Sequence, residues 1–339
     1  MNIQWNQRIT LILMLALSLA CVYTAKTAGT STPQTGPSPE ANTAKTPGTR
    51  ILQTRQSPET NTAKTAGTGT TQTGQSLDIS LSSGGKTRDA WVHIPASYSS
   101  ATAVPLIVTF HGFGSDGKGA EAETGLSALA DSEGFLVAYP NGMNRQWYTD
   151  PGSAGAADRQ FIRDLVKNLQ TDYKVDPKRI FATGMSNGGG MTHRVGCDLA
   201  DIFAAIAPVE GGYASPGWQD CSPSRPMPIM AFHGITDPVV PYNGGPGKGA
   251  AAGHIFPSIP DWAAAWANRD SCNATPTVTT PTVTQPNAIA VTRQEWTQCK
   301  DGASVILFSI NPHAHTWPKG KPINATTEMW KFFQAHPMP

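Results

Sequence analysis

The amino-acid sequence predicts an α/β domain, with a mostly parallel central sheet flanked by helices, over residues 77–339. Short apolar runs alternate in this part of the chain with segments of helical periodicity, as expected when strands and helices follow one another. The runs after residue 104 are continuously apolar, which is typical of strands buried on both faces. About 263 residues are also enough for a single domain with a full hydrophobic core.

The individual elements follow from the period of the apolar positions. Apolar and polar residues alternate at 77–81 and 90–94, which predicts two antiparallel edge strands. The clearest helix is predicted at 158–173, where Phe161, Leu165 and Leu169 recur at every fourth position. Continuous apolar runs predict the remaining strands at 104–110, 135–139, 179–183, 203–208, 228–232 and 304–310.

Residues 1–20 have the features of an export signal. A single charge, Arg8, precedes an apolar run at 9–20, which is too short to cross a bilayer core of roughly 30 Å. Ser18 and Ala20 form the small-x-small pattern that precedes signal-peptidase cleavage. The sequence therefore predicts a secreted, extracellular protein. Cys21 offers the alternative of a lipid anchor at the cell surface.

Residues 21–76 are predicted to be a disordered, threonine-rich linker or stalk. The segment repeats a T-A-K-T-x-G-T unit with a period of 19 residues, starting at Thr24, Thr43 and Thr62. It contains almost no apolar side chains, so it cannot offset the entropy cost of ordering. A solenoid is excluded because solenoid repeats need apolar residues to stack on one another.

Charge and composition exclude several classes of partner. The chain has 25 Lys and Arg against 24 Asp and Glu, and only 14% of its residues are charged. This balance argues against nucleic acid or an acidic polymer as a partner. Neither an H-E-x-x-H motif nor an EF-hand loop occurs, so we expect no metal and no cofactor.

Four cysteines in the predicted domain form an even set that can pair in oxidising surroundings. Three pairings are possible, and proximity along the chain favours Cys197 with Cys221 and Cys272 with Cys299. A four-thiolate zinc site would need closely spaced C-x2-C pairs, which are absent from the sequence.

A G-x-S-x-G sequence at 184–188 marks a candidate nucleophile. It follows the predicted strand 179–183 and precedes a predicted helix, which is the context of a nucleophile elbow. Ser186 would occupy the strained turn, and glycines two positions before and after it would allow neighbouring backbone to approach closely. The alternative is a glycine-rich turn with an ordinary serine.

A serine nucleophile needs a histidine base and a carboxylate that orients this base. Asp237 follows the predicted strand 228–232, whereas the other acids after Ser186 are less well placed. Two histidines, His313 and His315, follow the last predicted strand, and their spacing alone does not choose between them.

An oxyanion hole needs two backbone N–H groups, one from the residue after the nucleophile and one from the loop after an early strand. Asn187 and Phe113 occupy these positions. The loop containing Phe113 also matches a G-x-G-x-x-G dinucleotide motif at 112–117. We reject a dinucleotide site because the next strand ends in Tyr139-Pro-Asn, without the acidic residue that would bind a ribose.

Residues from roughly 77 to 335 resemble the secreted polyhydroxybutyrate-depolymerase and feruloyl-esterase group of the α/β-hydrolases. The resemblance rests on four stretches: 110–112, 184–190, 232–242 and 315–318, which read FHG, GMSNGGG, FHGITDPVVPY and HTWP. It implies an α/β-hydrolase fold with its catalytic residues on loops at the carboxyl ends of the strands. It also implies Ser186 as nucleophile, Asp237 as the orienting acid and His315, rather than His313, as the base.

Likeness to the type-C feruloyl esterases extends to residues 241–245 and 262–272. This likeness implies that the substrate is an ester of a hydroxycinnamic acid on plant xylan oligosaccharides. We expect the enzyme to be a monomer. One alternative is a polyester depolymerase of the poly(3-hydroxybutyrate) type with the same triad. Another is a non-catalytic surface binding protein.

Trp147 is a candidate substrate-binding residue. It lies after the predicted strand 135–139, on a loop at the catalytic edge of such a sheet. The hypothesis is that its ring stacks on the acyl or sugar part of the substrate. The alternative is a tryptophan that covers the core.

Overall fold

A computed structural model describes residues 73–280 and 288–339 of the chain. The predicted signal peptide (1–20), Cys21 and the predicted stalk up to residue 72 lie outside the described residues. The first strand begins at Gln75, two residues before the predicted domain boundary. The strands are β1 Gln75–Ser83, β2 Lys86–Ile94, β3 Val104–Phe110, β4 Leu136–Pro140, β5 Val175–Met185, β6 Ala205–Val209, β7 Ile229–Gly234, β8 Gly245–Pro246, β9 Ile255–Phe256, β10 Thr277–Thr279, β11 Ala290–Trp296 and β12 Val305–Asn311.

Within the described residues, ten strands form one sheet in the order β1-β2-β4-β3-β5-β6-β7-β12-β11-β10. The six central strands, from β4 to β12, are parallel to one another. The strands at both edges are antiparallel. This arrangement confirms the predicted mostly parallel sheet and the two antiparallel strands at its start. Strands β8 and β9 form a separate antiparallel pair.

Helices cover both faces of this sheet, as its doubly buried strands require. In β3, Leu106 and Val108 belong to one core cluster and Ile107 to the other, because successive side chains of a strand point to opposite faces. The helices are α1 Gly117–Thr124, α2 Leu126–Glu133, α3 Ser153–Asp172, α4 Asn187–Asp198, α5 Ile259–Arg269 and α6 Ala325–Ala335. The first cluster includes side chains of α3, α4 and α5, and the second includes side chains of α1, α2 and α6.

Helix α3 confirms the clearest helix prediction but begins five residues earlier, at Ser153. Its predicted inner face is buried, including Phe161, Leu165 and Leu169. Strands β10 and β11 were not predicted. In β11, which lies next to the edge strand β10, the apolar Val291 is followed by four polar residues, so the continuous apolar run of the central strands is missing.

Both predicted disulfides are confirmed: Cys197 pairs with Cys221 and Cys272 with Cys299. The first joins the end of α4 to the segment before β7, and the second joins the segment after α5 to the loop before β12. Among the described residues, the helices lack the combination of length and apolar character needed to cross a membrane.

Candidate active site

Ser186 lies on a sharp turn between β5 and α4. Its φ of 58° falls in the left-handed region, which a non-glycine residue adopts only under strain. A Cβ at Gly184 would lie 2.6 Å from the carbonyl oxygens of Phe110 and Gly188, and a Cβ at Gly188 would lie 2.6 Å from that of His111. The turn therefore requires both glycines, as the sequence predicted.

The start of α4 leaves the Ser186 side chain available for chemistry. Ser186 is the N-cap residue of this helix, yet its side chain makes no capping hydrogen bond. The following residue, Asn187, uses its side-chain amide to bind the backbone of Trp147, accepting from the N–H at 2.7 Å and donating to the carbonyl at 3.0 Å. The end of the β5–α4 turn is thus fixed to the loop after β4.

Asp237 and His315 meet on neighbouring loops, because they follow the adjacent parallel strands β7 and β12. His315 Nδ1 lies 2.7 Å from Asp237 Oδ2. The other carboxylate oxygen, Oδ1, accepts the backbone N–H groups of Val239 at 2.7 Å and Val240 at 3.0 Å. These bonds fix the carboxylate and leave the Nε2 side of the imidazole for a substrate or nucleophile.

Burial alone would raise the pKa of Asp237. Hydrogen bonds from His233 and His315 outweigh this effect and hold the pKa of Asp237 well below its usual range. The carboxylate is therefore negatively charged throughout the physiological pH range. A charged acceptor at this position keeps the proton of His315 on Nδ1.

The structure brings His315, and not His313, into contact with Asp237. The ring of His313 instead has Nε2 at 2.9 Å from the Thr316 carbonyl oxygen and 3.5 Å from Glu210 Oε1. Among the hydrogen bonds of the described residues, His315 and Ser186 share none. Serine–histidine hydrogen bonds are often loose in free enzymes and tighten only when substrate binds.

The loop after β3 carries Phe113, the other predicted oxyanion residue. Its side chain is 56% exposed and lines a pocket together with Ser186 and Asn187. His111 orders this loop, because its Nε2 accepts the N–H of Gly142 at 3.0 Å. The loop after β3 and the loop after β4 are thereby joined beside the nucleophile.

Trp147 is almost completely buried, with 3% of its surface exposed. Its indole N–H donates to the His111 carbonyl at 3.1 Å, and its ring packs edge-on against Phe110 with centroids 5.2 Å apart. It nevertheless contributes to the wall of the pocket. These contacts favour core covering over stacking on a substrate, and the stacking hypothesis remains a prediction.

The pocket above Ser186 has a volume of about 430 Å³. This size is typical of sites for small molecules. Apolar side chains dominate one part of its wall, and Tyr148, Asp150 and His254 add polar groups. The apolar lining residues are Pro151, Ala214, Pro216, Val239, Val240, Ala250, Ala251 and Phe256.

Glu210 is a residue of this region that the sequence analysis missed. It follows β6 directly and is completely buried, with its carboxyl group beside Asp237 and His233. A signal was present: an acidic residue ends a continuous apolar run and precedes two glycines, on the strand between those of Ser186 and Asp237.

Two groups of potential metal-ligating side chains occur among the described residues. In the group of His193, Cys197 and Cys221, both sulfurs are consumed in a disulfide. In the group of Glu210, His233 and Asp237, the imidazole Nε2 lies 3.1 Å from the Val240 carbonyl oxygen and is directed at this acceptor. We assign no metal to either group.

The order and directions of the central strands are those of the α/β-hydrolase fold. Residues 92–242 match the family model described as Esterase PHB depolymerase. The acetyl xylan esterase from Aspergillus awamori has the same fold, with a TM-score of 0.54 at 17% identity, covering 76% of this chain and 99% of that one.

Two curated relatives extend this likeness. Feruloyl esterase B of Piromyces equi is 32% identical over 248 residues, covering 69% of this chain and 44% of that protein. The bifunctional acetylxylan esterase/xylanase XynS20E of Neocallimastix patriciarum is 32% identical over 193 residues, covering 56% and 28% respectively. The chain thus spans less than half the length of either relative. The match to the Esterase PHB depolymerase family model and the likeness to these two relatives both point to an esterase-like domain.

Proposed function

We propose that the protein is a secreted serine carboxylic-ester hydrolase that releases hydroxycinnamic acids from plant xylan oligosaccharides. The observation that carries the proposal is the position of Ser186, on a strained elbow in the wall of a pocket, with Asp237 and His315 paired on the strand ends beyond it. The likeness to a feruloyl esterase and to an acetylxylan esterase/xylanase supports an ester on xylan as the substrate.

Acylation begins when Ser186 Oγ attacks the ester carbonyl carbon. His315 Nε2 takes the hydroxyl proton as the C–O bond forms, and Asp237 stabilises the resulting imidazolium through Nδ1. The negative charge on the former carbonyl oxygen rests on the backbone N–H groups of Phe113 and Asn187. The C–O bond to the sugar then breaks, and His315 donates its proton to the departing alcohol.

Deacylation repeats these steps with water as the nucleophile. His315 accepts a proton from the water, whose oxygen attacks the acyl carbon, and then returns a proton to Ser186 Oγ as the hydroxycinnamic acid leaves. The N-terminus of α4 adds a favourable dipole beside the oxyanion. Both half-reactions use three side chains, Ser186, Asp237 and His315, and two backbone amides. Neither half-reaction needs a cofactor.

The apolar wall of the pocket supports an aromatic acyl group over a charged one. A planar phenylpropenoate can bury its ring against Val239, Val240 and Phe256, and His254 or Asp150 can hydrogen-bond its ring substituents. The family description favours one alternative, a poly(3-hydroxybutyrate) depolymerase with the same triad. A non-catalytic binding protein would not explain why Ser186 has a strained, left-handed backbone conformation.

The experiment compares hydrolysis of methyl ferulate with that of a soluble 3-hydroxybutyrate oligomer by the full chain, with Ser186→Ala as the control. Faster ferulate release that is lost in the variant supports the proposal. A preference for the hydroxybutyrate oligomer moves the substrate to polyester and retains the mechanism. Turnover of neither ester, or equal turnover by Ser186→Ala, contradicts the proposal.

A further inference from the structure

Glu210 occupies an unusual position at the carboxyl end of β6. Its side chain has no exposed surface, and its φ of 45° lies in the left-handed region. Of the described non-glycine residues with positive φ, Glu210 is the one that is fully buried. A buried acid and a strained backbone each cost free energy, so both persist only where surrounding structure maintains them.

The carboxyl group of Glu210 lies directly behind the candidate catalytic acid. Its two oxygens accept the Gly234 N–H at 3.0 and 2.9 Å. One of its carboxyl oxygens lies within 4.8 Å of a carboxyl oxygen of Asp237. Its Oε2 also lies 3.5 Å from His233 Nε2. Glu210 therefore lies beside the same carboxylate that contacts His315.

Two buried carboxylates this close repel each other, so one of the pair is expected to bind a proton. Burial, and then the neighbouring charge of Asp237, raises the pKa of Glu210 well above its usual range. The pKa of Asp237 is lowered by its histidine partners. This proton therefore belongs to Glu210, and Asp237 carries the charge.

The backbone around Glu210 contacts the nucleophile as well. Ser186 N–H donates to the Val209 carbonyl at 3.0 Å, and Gly212 N–H donates to the Ser186 carbonyl at 3.0 Å. Glu210 N–H donates to the Phe232 carbonyl of β7 at 2.9 Å. The segment 209–212 thus joins the elbow of Ser186 to the strand that leads to Asp237.

We propose that Glu210 is a positioning residue whose protonated carboxyl group donates a hydrogen bond to Asp237 and holds that carboxylate against His315. This inference rests on the proposed function, since it assigns the residue a part in the same reaction. Glu210 acts through Asp237 and lies outside the set of described residues that line the pocket. Its loss is therefore expected to lower kcat with little change in KM.

Two variants of the full chain test whether the hydrogen bond that Glu210 donates to Asp237 matters for catalysis. Glu210→Gln retains a donor for Asp237 and an acceptor for Gly234 N–H, so we expect kcat on methyl ferulate within about threefold of wild type. Glu210→Leu has a similar size but cannot donate. Here we expect kcat to fall about 10- to 100-fold, the range for losing a hydrogen bond to a charged group.

Proton NMR reports directly on the hydrogen bond between His315 and Asp237, which would not change if Glu210 had only a structural role. The proton between His315 Nδ1 and Asp237 Oδ2 gives a low-field resonance, which Asp237→Asn removes and Ser186→Ala retains. We expect this resonance in Glu210→Gln, and we expect it to shift or broaden in Glu210→Leu. Equal kcat in all three proteins, or a Gln variant as impaired as the Leu variant, overturns the proposal.

If Glu210→Leu does not fold, the pH dependence of the His315–Asp237 proton resonance tests the role of Glu210 instead. The wild-type resonance is expected to shift as rising pH ionises Glu210, whereas the resonance of Glu210→Gln stays in place. A wild-type resonance that does not respond, or an identical response in the Gln variant, overturns the proposal. The titratable groups that face Glu210 are His233 and Asp237 from β7 and its loop, His313 from the loop after β12, and Tyr213. His315, from the same loop as His313, contacts Asp237.

The proposed function and the role of Glu210 fail in different ways. Wild type that hydrolyses no ester, or Ser186→Ala that remains active, contradicts the proposed function. Wild type that is active and depends on Ser186, with Glu210→Leu at full kcat and an unchanged resonance, contradicts the role of Glu210 alone.

Discussion

Replacing Gly184 by alanine tests whether the turn that carries Ser186 depends on close backbone contacts. A Cβ at this position would lie 2.6 Å from the carbonyl oxygens of both Phe110 and Gly188. Ordinary contact begins at 3.4 Å, so each carbonyl has to recede by 0.8 Å. The Phe110 carbonyl precedes the loop of Phe113, and Gly188 lies in the first turn of α4. The substitution therefore displaces both predicted oxyanion donors relative to Ser186.

The size of this displacement determines how far kcat and the free energy of unfolding are expected to fall. A misplacement of about 1 Å at a reacting group costs about 100-fold in rate, and overpacking a core costs about 1–3 kcal/mol. For Gly184→Ala we expect kcat on methyl ferulate to fall about 100-fold, and the free energy of unfolding in urea to fall by about 1–3 kcal/mol.

Gly196→Ala is the matched control. A Cβ at Gly196, in α4, would also meet its nearest atom at 2.6 Å, but this atom is Cδ1 of Ile206, the movable end of a side chain. We expect kcat within about twofold of wild type, because helix interiors favour alanine over glycine and Ile206 can adjust. Wild-type kcat and wild-type stability in Gly184→Ala would refute the reasoning.

Three further predictions concern buried groups. Asp237→Asn is expected to lower kcat on the order of 10³- to 10⁴-fold, because an amide does not hold the histidine tautomer as a carboxylate does; steady-state turnover of methyl ferulate near the wild-type rate would contradict this. Burial raises the pKa of Asp270 to about 7, against 3.8 for an ordinary Asp. As pH rises, the carboxyl group therefore loses its proton in the unfolded state before it does so in the folded state. The free energy of unfolding is expected to fall between about pH 4 and pH 7. Urea titrations should show a fall of about 4 kcal/mol from this group that Asp270→Asn lacks, and parallel pH curves for the two proteins would refute the shift. Trp147→Ala should lower the free energy of unfolding by about 3–5 kcal/mol, and its KM for methyl ferulate distinguishes core covering, with KM unchanged, from substrate stacking.

The sequence predicted the central strands because burial on both faces leaves a continuous apolar run that few other structures produce. It did not predict β10 and β11, because these strands lie at an edge of the sheet where polar side chains are tolerated. The helix at 158–173 was predicted from one apolar face, and its first turn, which is rich in small residues, carries no such pattern.

The site was predictable where local backbone geometry demands particular residues. Gly184 and Gly188 are required by close contacts within a few residues of Ser186, so they are visible in the sequence. The choice of His315 over His313 depends on the contact with Asp237, 78 positions away along the chain, and the residues alone left it open. Glu210 was missed because its partners come from β7 and β12 and are brought together only by the sheet.

Labelling with a fluorophosphonate tests most directly whether Ser186 is an activated nucleophile. The reagent phosphonylates an activated serine and releases fluoride, so intact-mass spectrometry of the full chain counts the groups attached. The account predicts one adduct per wild-type chain, located on Ser186 by peptide mapping, and none in Ser186→Ala. An unlabelled wild-type chain, or an equal adduct in Ser186→Ala, would contradict the account.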